Sequence, residues 1–343
     1  MQNLPSKDPK YKLKLVYRAD PGYILCATDF SFIELCAFAQ SCYSLFRNEP
    51  ELEDVEGSVM RLVINAGLDP HRWFAGVMYG KIDADLSRRD DPEWVAWLTK
   101  KLNELVDKKM RQNAKMANFG LPGGLSEQSY YNHCREQGMH CTYAEAKHAR
   151  DSWMSTFREM SLHMTRLDRM PTPEPVAVQY GFGQYAKTVA PEIIDEEEEG
   201  PADYSTEYDN GKGNYLGITL TGMRRAKCTA NSAANIRFQG LVSQGAKLAG
   251  WELVRAGYAD RFRNFIHDEF LLQFRPQELD EHIPIVERLM LKGMRKVIPD
   301  VKVGVETACS IHWDKGATEY LKLPRDANGL CVVSDEVVEE LLR

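Results

Sequence analysis

Two aspartates stand in unusual sequence surroundings. Asp29 ends the apolar run of residues 23–30, and Asp268 lies between two apolar runs within residues 262–274. A carboxylate flanked by buried segments keeps its charge near the core and needs a partner there. Two such carboxylates brought together can bind Mg²⁺, which takes a few carboxylates plus phosphate oxygens. A pair of ions roughly 3.5–4 Å apart would support in-line phosphoryl transfer, although either aspartate alone is more often structural.

A second set of residues repeats at helical spacing. Arg111, Lys115 and Phe119 are separated by i, i+4 and i+8, so they share one face of a helix. Two cations and an aromatic ring on one stripe can take a triphosphate and stack a base or sugar. The alternative, equally compatible with the sequence, is a solvated basic face with Phe119 in the core.

A pair of amides forms the third candidate set. Asn235 and Gln239 are one helical turn apart. Side-chain amides can read the minor-groove acceptors that every correct base pair presents in similar positions. The pair alone is weak evidence for a DNA contact, because amides are common on helix surfaces.

The elements that position the first two sets can be predicted from apolar spacing. Residues 23–30 read as a buried strand and residues 31–46 as a helix, which places Asp29 where a strand gives way to a helix. The spacing predicts a helical region at residues 55–80 and one long helix from Glu93 to Asn118. Two more helices are predicted within residues 126–169.

The second half of the chain changes character. Residues 171–217 are rich in Pro, Gly and acids, which predicts a long, partly mobile insertion. A helix over residues 232–256 and a tight β-hairpin around His267-Asp268-Glu269 follow. The remaining predictions are a helix near 280–295, a strand near 301–307 and a short acidic helix in the last ten residues.

Composition sets the broad class. The 343 residues are 43% apolar and 27% charged, as in ordinary globular proteins, and the eight cysteines form no CxxC pair. No apolar run reaches the roughly 20 residues that a membrane span needs, and the first residues lack a signal-peptide core, so a cytosolic location with no membrane partner is the expectation. The net charge of −7 is unfavourable for a DNA-binding protein, but residues 100–115 are locally basic.

These pieces resemble, in order, the motifs of family A DNA polymerases of the bacterial polymerase I type, in a phage-like form. The Asp29 segment is similar to motif A (D-Y-S-x-I-E-L-R), the Arg111 to Gly120 segment to motif B, and Phe265 to Glu269 to motif C. Four further segments match family patterns: Gln2-Asn3-Leu4-Pro5, Asp69-Pro70-His71-Arg72, Asn235-(x3)-Gln239-Gly240 and Trp313-Asp314.

The resemblance implies a two-metal site like that of the family. Asp29 and Asp268 would ligate two Mg²⁺ ions, for which Mn²⁺ can substitute, with help from the Phe30 carbonyl. Glu269 would be a secondary acid beside them. His267 would position the primer terminus.

The resemblance also implies a deoxynucleotide site. Arg111, Lys115 and His71 would hold the triphosphate, and Lys115 would protonate the leaving pyrophosphate. Phe119 would stack on the incoming nucleotide, and Glu34 would block a ribose 2′-hydroxyl. Asn235 and Gln239 would probe the nascent base pair in the minor groove.

The implied fold class is α+β: an antiparallel palm sheet backed by helices, with inserted helical fingers and without thumb or exonuclease domains. The predicted domains are 1–36 (palm), 37–230 (fingers, with the insertion), 231–316 (palm) and 317–343 (C-terminal extension). The expected partners are primer–template DNA, dNTPs and a second chain that supplies the thumb and upstream palm and could carry an exonuclease.

Two departures from the family pattern bear on function. The motif B tyrosine is replaced by Gly123, which cannot stack on a template base, and the motif A arginine is replaced by Cys36. A non-catalytic DNA-binding or assembly module derived from a polymerase is therefore an alternative. A single-subunit RNA polymerase-like enzyme is another, against which Glu34 argues.

Overall fold

A computed structural model describes residues 16–136, 138–139, 141–165, 215–313 and 317–323. The chain divides into two compact units. The first contains Met1–Ile33, Val242–Lys296 and Val303–Arg343, and the second contains Glu34–Leu241 and Val297–Lys302. The predicted palm–fingers boundary at 230/231 thus lies before the division at Leu241. No helix in the described part of the chain is long and apolar enough to cross a membrane.

The elements alternate along the chain in an α+β pattern. The strands are β1 (Ile24–Ser31), β2 (Tyr215–Ile218), β3 (Arg224–Cys228), β4 (Phe262–Ile266), β5 (Glu269–Phe274), β6 (Gly304–Ser310) and β7 (Thr318–Glu319). The helices are α1 (Ile33–Phe46), α2 (Val59–Asn65), α3 (Pro70–Met78), α4 (Pro92–Leu105), α5 (Lys108–Gly120), α6 (Glu127–Glu136), α7 (Tyr143–Thr156), α8 (Glu159–Thr165), α9 (Ala230–Asn235), α10 (Leu241–Arg255) and α11 (Leu279–Met294).

The first unit is built on an antiparallel sheet. Within the described residues its strand order is β4-β5-β1-β6-β7, so β1 lies between β5 and β6. Residues along β1 alternate between the two faces. Thr28 on one face is buried, and its hydroxyl lies 3.2 Å from that of Thr307 on β6. Asp29, the next residue, points to the other face.

Two helices cover the Thr28 face. Glu287 of α11 accepts a hydrogen bond of 2.7 Å from the Thr307 hydroxyl. Helices α10 and α11 approach closely because Gly293 has no side chain: a Cβ there would lie 2.3 Å from the backbone nitrogen of Ala249. The predicted α+β class, an antiparallel sheet backed by helices, is confirmed.

The predicted hairpin is present. Strands β4 and β5 pair with Ile266 opposite Glu269, which leaves His267 and Asp268 as a two-residue turn. His267 takes a positive φ of 56°, a conformation that such turns require and that non-glycine residues seldom adopt. The strand predicted at 301–307 lies at Gly304–Ser310, and Thr318–Glu319 of the predicted C-terminal extension pair with it as β7. Residues 324–343, including the predicted acidic helix, lie outside the described part.

The second unit is mainly helical, and the prediction of one long helix in it was wrong. The stretch Glu93–Asn118 is two helices, α4 and α5, instead of one. The chain turns at Val106 and Asp107, and the Asp107 carboxylate caps α5 by accepting a hydrogen bond of 2.8 Å from the Met110 N–H. Aspartate is a preferred N-cap, so the absence of Gly and Pro did not guarantee a continuous helix.

Other helix boundaries also differ from the predictions. Residues 55–80 contain α2 and α3, separated by Gly67 with φ 81° and by the Asp69 N-cap. Residues 126–169 contain α6, α7 and α8, where two helices were expected. The irregular insertion was predicted to run to residue 217, but Tyr215–Ile218 form β2; residues 166–214 lie outside the described part.

Candidate active site

A group of carboxylates lies on the face of the sheet opposite helices α10 and α11. Asp29 on β1 is paired directly with Glu306 on β6. Asp268 is in the β4–β5 turn, and Glu269 begins β5. The negative charges of Asp268, Glu269 and Glu306 all act on Asp29. The structure therefore brings together the two aspartates that the sequence singled out, within one unit.

The electrostatics of this group favour proton or cation binding. Burial and the charges of Asp268, Glu269 and Glu306 together raise the pKa of Asp29 to about 7, against a hydrogen bond from the Phe30 N–H. Burial also raises the pKa of Asp268, with a contribution from Glu269. The Asp29 side chain nevertheless remains accessible to solvent, and water screens part of this repulsion. The three neighbouring acids each act to raise the pKa of Asp29.

Removing the Asp29 charge is expected to stabilise the metal-free protein at neutral and higher pH. An unfolded aspartate has a pKa of about 3.9, well below the folded value of about 7. The stability contribution of Asp29 is therefore complete below about pH 4 and is lost as the pH rises to 7. Asp29→Asn keeps the side chain neutral throughout. In EDTA, its melting temperature should exceed the wild-type value more at pH 8 than at pH 4.5.

The matched control is Asp83→Asn, which changes an aspartate in an exposed loop of the second unit. Its melting temperature should follow that of the wild type at both pH values. A difference for Asp29→Asn that is equal at pH 4.5 and pH 8, or that reverses sign, would contradict the raised pKa of Asp29.

The donor set fits a hard divalent cation only in part. Among the described residues, no three His, Cys, Asp or Glu side chains are close enough to form a metal site by themselves. Mg²⁺ is commonly held by one or two carboxylates together with water and substrate phosphates. Asp29 and Asp268, whose repulsion a cation would relieve, match that requirement. The Phe30 backbone carbonyl is a further oxygen of the right type.

Neighbouring side chains hold the acids in place. The Trp313 indole N–H donates a hydrogen bond of 2.7 Å to the Glu269 carboxylate, and Trp313 is itself buried. The Ser31 hydroxyl donates one of 3.1 Å to Glu306. Glu306 was not predicted from the sequence. Polar and apolar residues alternate along its strand, so one acid there does not stand out until the strand pairing is known.

In the second unit, the helix face predicted on α5 is present. The Asp69 carboxylate caps α3 by accepting hydrogen bonds from the backbone N–H groups of His71 (2.9 Å) and Arg72 (3.0 Å). Its other oxygen accepts a hydrogen bond of 2.7 Å from the Arg111 Nε. Arg111 is therefore already paired with a carboxylate to which the sequence analysis assigned no role.

Lys115, Phe119 and His71 lie side by side near this ion pair. The Lys115 ammonium lies 5.5 Å from the centre of the Phe119 ring, and that ring lies 5.4 Å from the His71 ring. Phe119 is 41% exposed, whereas His71 is 1% exposed. Phe119 is therefore available for stacking, and His71 lies beneath the surface in this state.

The two amides are placed differently from the prediction. Residues 236–240, between α9 and α10, form one turn of π-helix, so Asn235 and Gln239 are not related by regular α-helical spacing. Gln239 is exposed. Asn235 faces Gly123, where a Cβ would lie 2.8 Å from its Oδ1. Its amide thus occupies the space above the residue that replaces the family's tyrosine.

The two remaining motif A residues belong to α1. Glu34 lies in its first turn and is partly exposed. Cys36 is buried, its thiol lies 3.7 Å from the Lys302 carbonyl oxygen, and burial raises its pKa to about 12. Cys36 is therefore a core residue and cannot replace the charge of the family's arginine.

Comparison with known proteins finds similarity to DNA polymerases. Over 305 residues the chain is 23% identical to DNA polymerase I of Aquifex aeolicus (strain VF5). It also aligns with the POL domain of Pol1 from M. smegmatis, solved with DNA primer-template and dNTP, at a TM-score of 0.53 and 17% identity over 91% of this chain. In sequence and in fold, the chain is therefore similar to family A DNA polymerases.

The similarity covers most of this chain but a minority of each relative. The matched region is 88% of the chain and 41% of the Aquifex protein, and the structural match covers 44% of the mycobacterial chain. No protein-family model matches the sequence. The activity of the whole relatives can therefore be applied to this polymerase-like chain only as a proposal.

A separate cavity lies on another side of α5. Its volume is about 480 Å³, and Lys109, Met110 and Asn113 of α5 form part of its wall. Lys109 is thus on the same helix as Lys115 but belongs to a different surface. This difference supplies a control for the function of Lys115.

Proposed function

We propose that this chain is the catalytic part of a DNA-directed DNA polymerase that acts in DNA replication. It would transfer a deoxynucleotide to a primer 3′ end by two-metal catalysis and release pyrophosphate. The observation that carries the proposal is the position of Asp268, in the β4–β5 turn, close enough to Asp29 on β1 for its charge to raise the pKa of Asp29. The similarity to DNA polymerase I supports it.

In this proposal, the first unit acts as the palm. Asp29 and Asp268, with the Phe30 carbonyl, would hold two Mg²⁺ ions, and Mn²⁺ could take their place. Bound Mg²⁺ would neutralise phosphate oxygens and make the primer hydroxyl a better nucleophile. Glu269, fixed by Trp313, would serve as the secondary acid.

The second unit would act as the fingers and bind the dNTP. Arg111 and Lys115 would bind the triphosphate oxygens, and Lys115 would donate a proton to the leaving pyrophosphate. Phe119 offers an exposed ring for stacking. His71 would add a hydrogen-bond donor once the side chains that cover it shift.

Primer and base-pair contacts complete the assignment. His267 is exposed in the turn beside Asp268, which suits contact with a primer terminus. Gln239, also exposed, would read the minor-groove face of the nascent pair. Asn235 would do so in cooperation with Gly123, because its amide already occupies the space above that glycine.

We also propose that primer–template DNA and dNTPs are joined by a protein partner, a second chain that supplies a thumb and the upstream palm strands and could carry an exonuclease. Size-exclusion chromatography of the full chain after co-expression with candidate upstream fragments tests this part separately.

The test of the proposed function is primer extension on a templated duplex by the full chain with Mg²⁺ and dNTPs. Template-directed addition of the correct nucleotide is the expected result. Binding of the duplex without extension, in Mg²⁺ and in Mn²⁺ and with the partner fragment present, would contradict it. That result would favour the second candidate, a non-catalytic DNA-binding module, which the replacement of the family's tyrosine by Gly123 favours.

Glu34→Ala is expected to relax discrimination against ribonucleotides. If the Glu34 side chain fills the space of a 2′-hydroxyl, its removal opens room for that group. The ratio of kcat/KM for dNTP to that for NTP should fall by roughly 10- to 100-fold, the range in which a pocket rejects one extra small group. Single-nucleotide incorporation with matched dNTP and NTP measures this ratio.

The control for this prediction is Glu93→Ala, which removes another first-turn acid, from α4 of the same unit. That variant should keep the wild-type ratio. An unchanged ratio in Glu34→Ala would remove Glu34 from the sugar site, and efficient NTP use by the wild type would favour an RNA polymerase-like enzyme.

A further inference from the structure

Asn118 is a buried amide in the second unit, next in sequence to Phe119. It is fully buried within α5. Its Oδ1 accepts a hydrogen bond of 2.8 Å from the Trp153 indole nitrogen on α7. Its Nδ2 lies 3.3 Å from the Pro70 carbonyl oxygen and 2.9 Å from the His71 Nδ1. Every polar atom of this side chain is therefore engaged.

Two of these partners fix which way the amide points. An indole N–H can only donate, and a backbone carbonyl oxygen can only accept. The Asn118 oxygen must therefore face Trp153, and its NH₂ group must face Pro70 and His71. This assignment follows from the partners and does not depend on seeing hydrogens.

The amide orientation determines where the imidazole proton lies. Because the Asn118 NH₂ donates to the His71 Nδ1, that nitrogen must be unprotonated. A neutral imidazole then carries its proton on Nε2. Protonation of Nδ1 would set two N–H groups against each other, so the same contact opposes the charged form. Burial, together with the positive charges of Arg111 and Lys115 and against the attraction of Asp69, lowers the pKa of His71 to about 3.

We propose that Asn118 is a positioning residue that holds His71 as the neutral tautomer with its proton on Nε2. This inference rests on the proposed function, since the Nε2–H is the donor that would meet a phosphate of the incoming nucleotide. A fixed neutral donor adds direction to the site without placing a buried positive charge on His71 beside the partly exposed Arg111 and Lys115, which would be costly. Trp153 supports the arrangement by fixing the Asn118 oxygen.

The first test reads the tautomer in the full chain without nucleotide. Nitrogen-15 NMR of histidine-labelled protein distinguishes a protonated Nε2 from an acceptor Nδ1, and His71→Gln identifies the signal. Between pH 6 and pH 8 the His71 ring should be neutral with its proton on Nε2. A proton on Nδ1, or a charged ring, overturns the proposal.

Asn118→Asp changes the donor into an acceptor of the same shape. The carboxylate can still accept from Trp153 but cannot donate to His71, so the His71 proton should move to Nδ1 or the ring should become charged. The KM for dNTP should rise about threefold to tenfold, the range for loss of one hydrogen bond, while kcat changes less. An unchanged His71 spectrum in a folded variant overturns the proposal.

Trp153→Phe covers the case in which Asn118→Asp does not fold. It removes the N–H that fixes the Asn118 oxygen, so the amide can turn and the His71 signals should shift toward a tautomer mixture. Trp73→Phe is the matched control. Both tryptophans are fully buried and pack on Phe157, but within the described residues the Trp73 indole N–H has no hydrogen-bond partner. Equal His71 spectra in the two variants overturn the proposal.

The readouts separate this inference from the proposed function. The NMR signals do not depend on polymerase activity. The expected tautomer in a chain that never extends a primer would support the role of Asn118 in setting the tautomer and refute the polymerase proposal. Primer extension by a chain whose His71 carries its proton on Nδ1 would do the reverse.

Discussion

Asp29→Asn and Asp268→Asn are each expected to reduce primer extension by at least about 10³-fold. The loss of one preorganised charge-stabilising group typically costs ~10²–10³ in turnover, and each aspartate here would serve a metal ion that acts on both nucleophile and leaving group. Asparagine preserves the shape and removes only the charge. Single-turnover incorporation of the correct dNTP in saturating Mg²⁺ measures the loss.

Glu306→Gln is the matched control for both variants. Glu306 is paired with Asp29 on the same face of the sheet, so its charge is close to the site. It is not, however, one of the proposed metal ligands. The extension rate of Glu306→Gln should stay within about tenfold of the wild type, because solvent screens the effect of an exposed charge on the neighbouring site. A loss below tenfold in Asp268→Asn, or equal losses in all three variants, would argue against the assigned pair.

Lys115→Ala is expected to lower turnover by about 10²–10³-fold. The lysine would neutralise the triphosphate and give a proton to the pyrophosphate, and alanine can do neither. Folding should be little affected, because the contact of Lys115 with the Phe119 ring at 5.5 Å is of a kind that contributes about 0.5–1 kcal/mol at exposed sites. Pre-steady-state incorporation, with thermal unfolding alongside, separates the two effects.

Lys109→Ala tests whether any lysine on α5 would give the same result. Lys109 is six residues before Lys115 and lines the cavity on another side of the helix. Its removal should leave turnover within about twofold, because surface charges away from the ligand are largely screened. Similar losses in both variants would reduce the role of Lys115 to general electrostatics.

Local patterns predicted the parts of the first unit that position the acids. The apolar run before Asp29 gave a strand, and two apolar runs around His267-Asp268 gave a hairpin, because each pattern is decided by neighbours in sequence. The order of the strands was not readable in this way. Glu306 joins Asp29 only because β6 pairs with β1 across 277 residues of chain.

The second unit was harder to predict for the same physical reason. The face formed by Arg111, Lys115 and Phe119 follows from helical geometry alone, and it is present. The partner of Arg111 is the capping residue of another helix, Asp69. The burial of His71 and its contact with Asn118 depend on the packing of α3, α5 and α7, which no spacing rule encodes.

The ion pair between Asp69 and Arg111 has a consequence for selectivity. Asp69 takes the Nε–H of Arg111, and a guanidinium has five N–H donors, so this pair can persist while the terminal NH₂ groups bind an anion. The Asp69 carboxylate then lies near that anion, and its negative charge offsets part of the attraction of the guanidinium. A small monoanion would therefore gain little from Arg111 alone. A ligand with several adjacent negative groups, able to reach Lys115 as well, would gain more, so the resting pair sets a threshold in ligand charge.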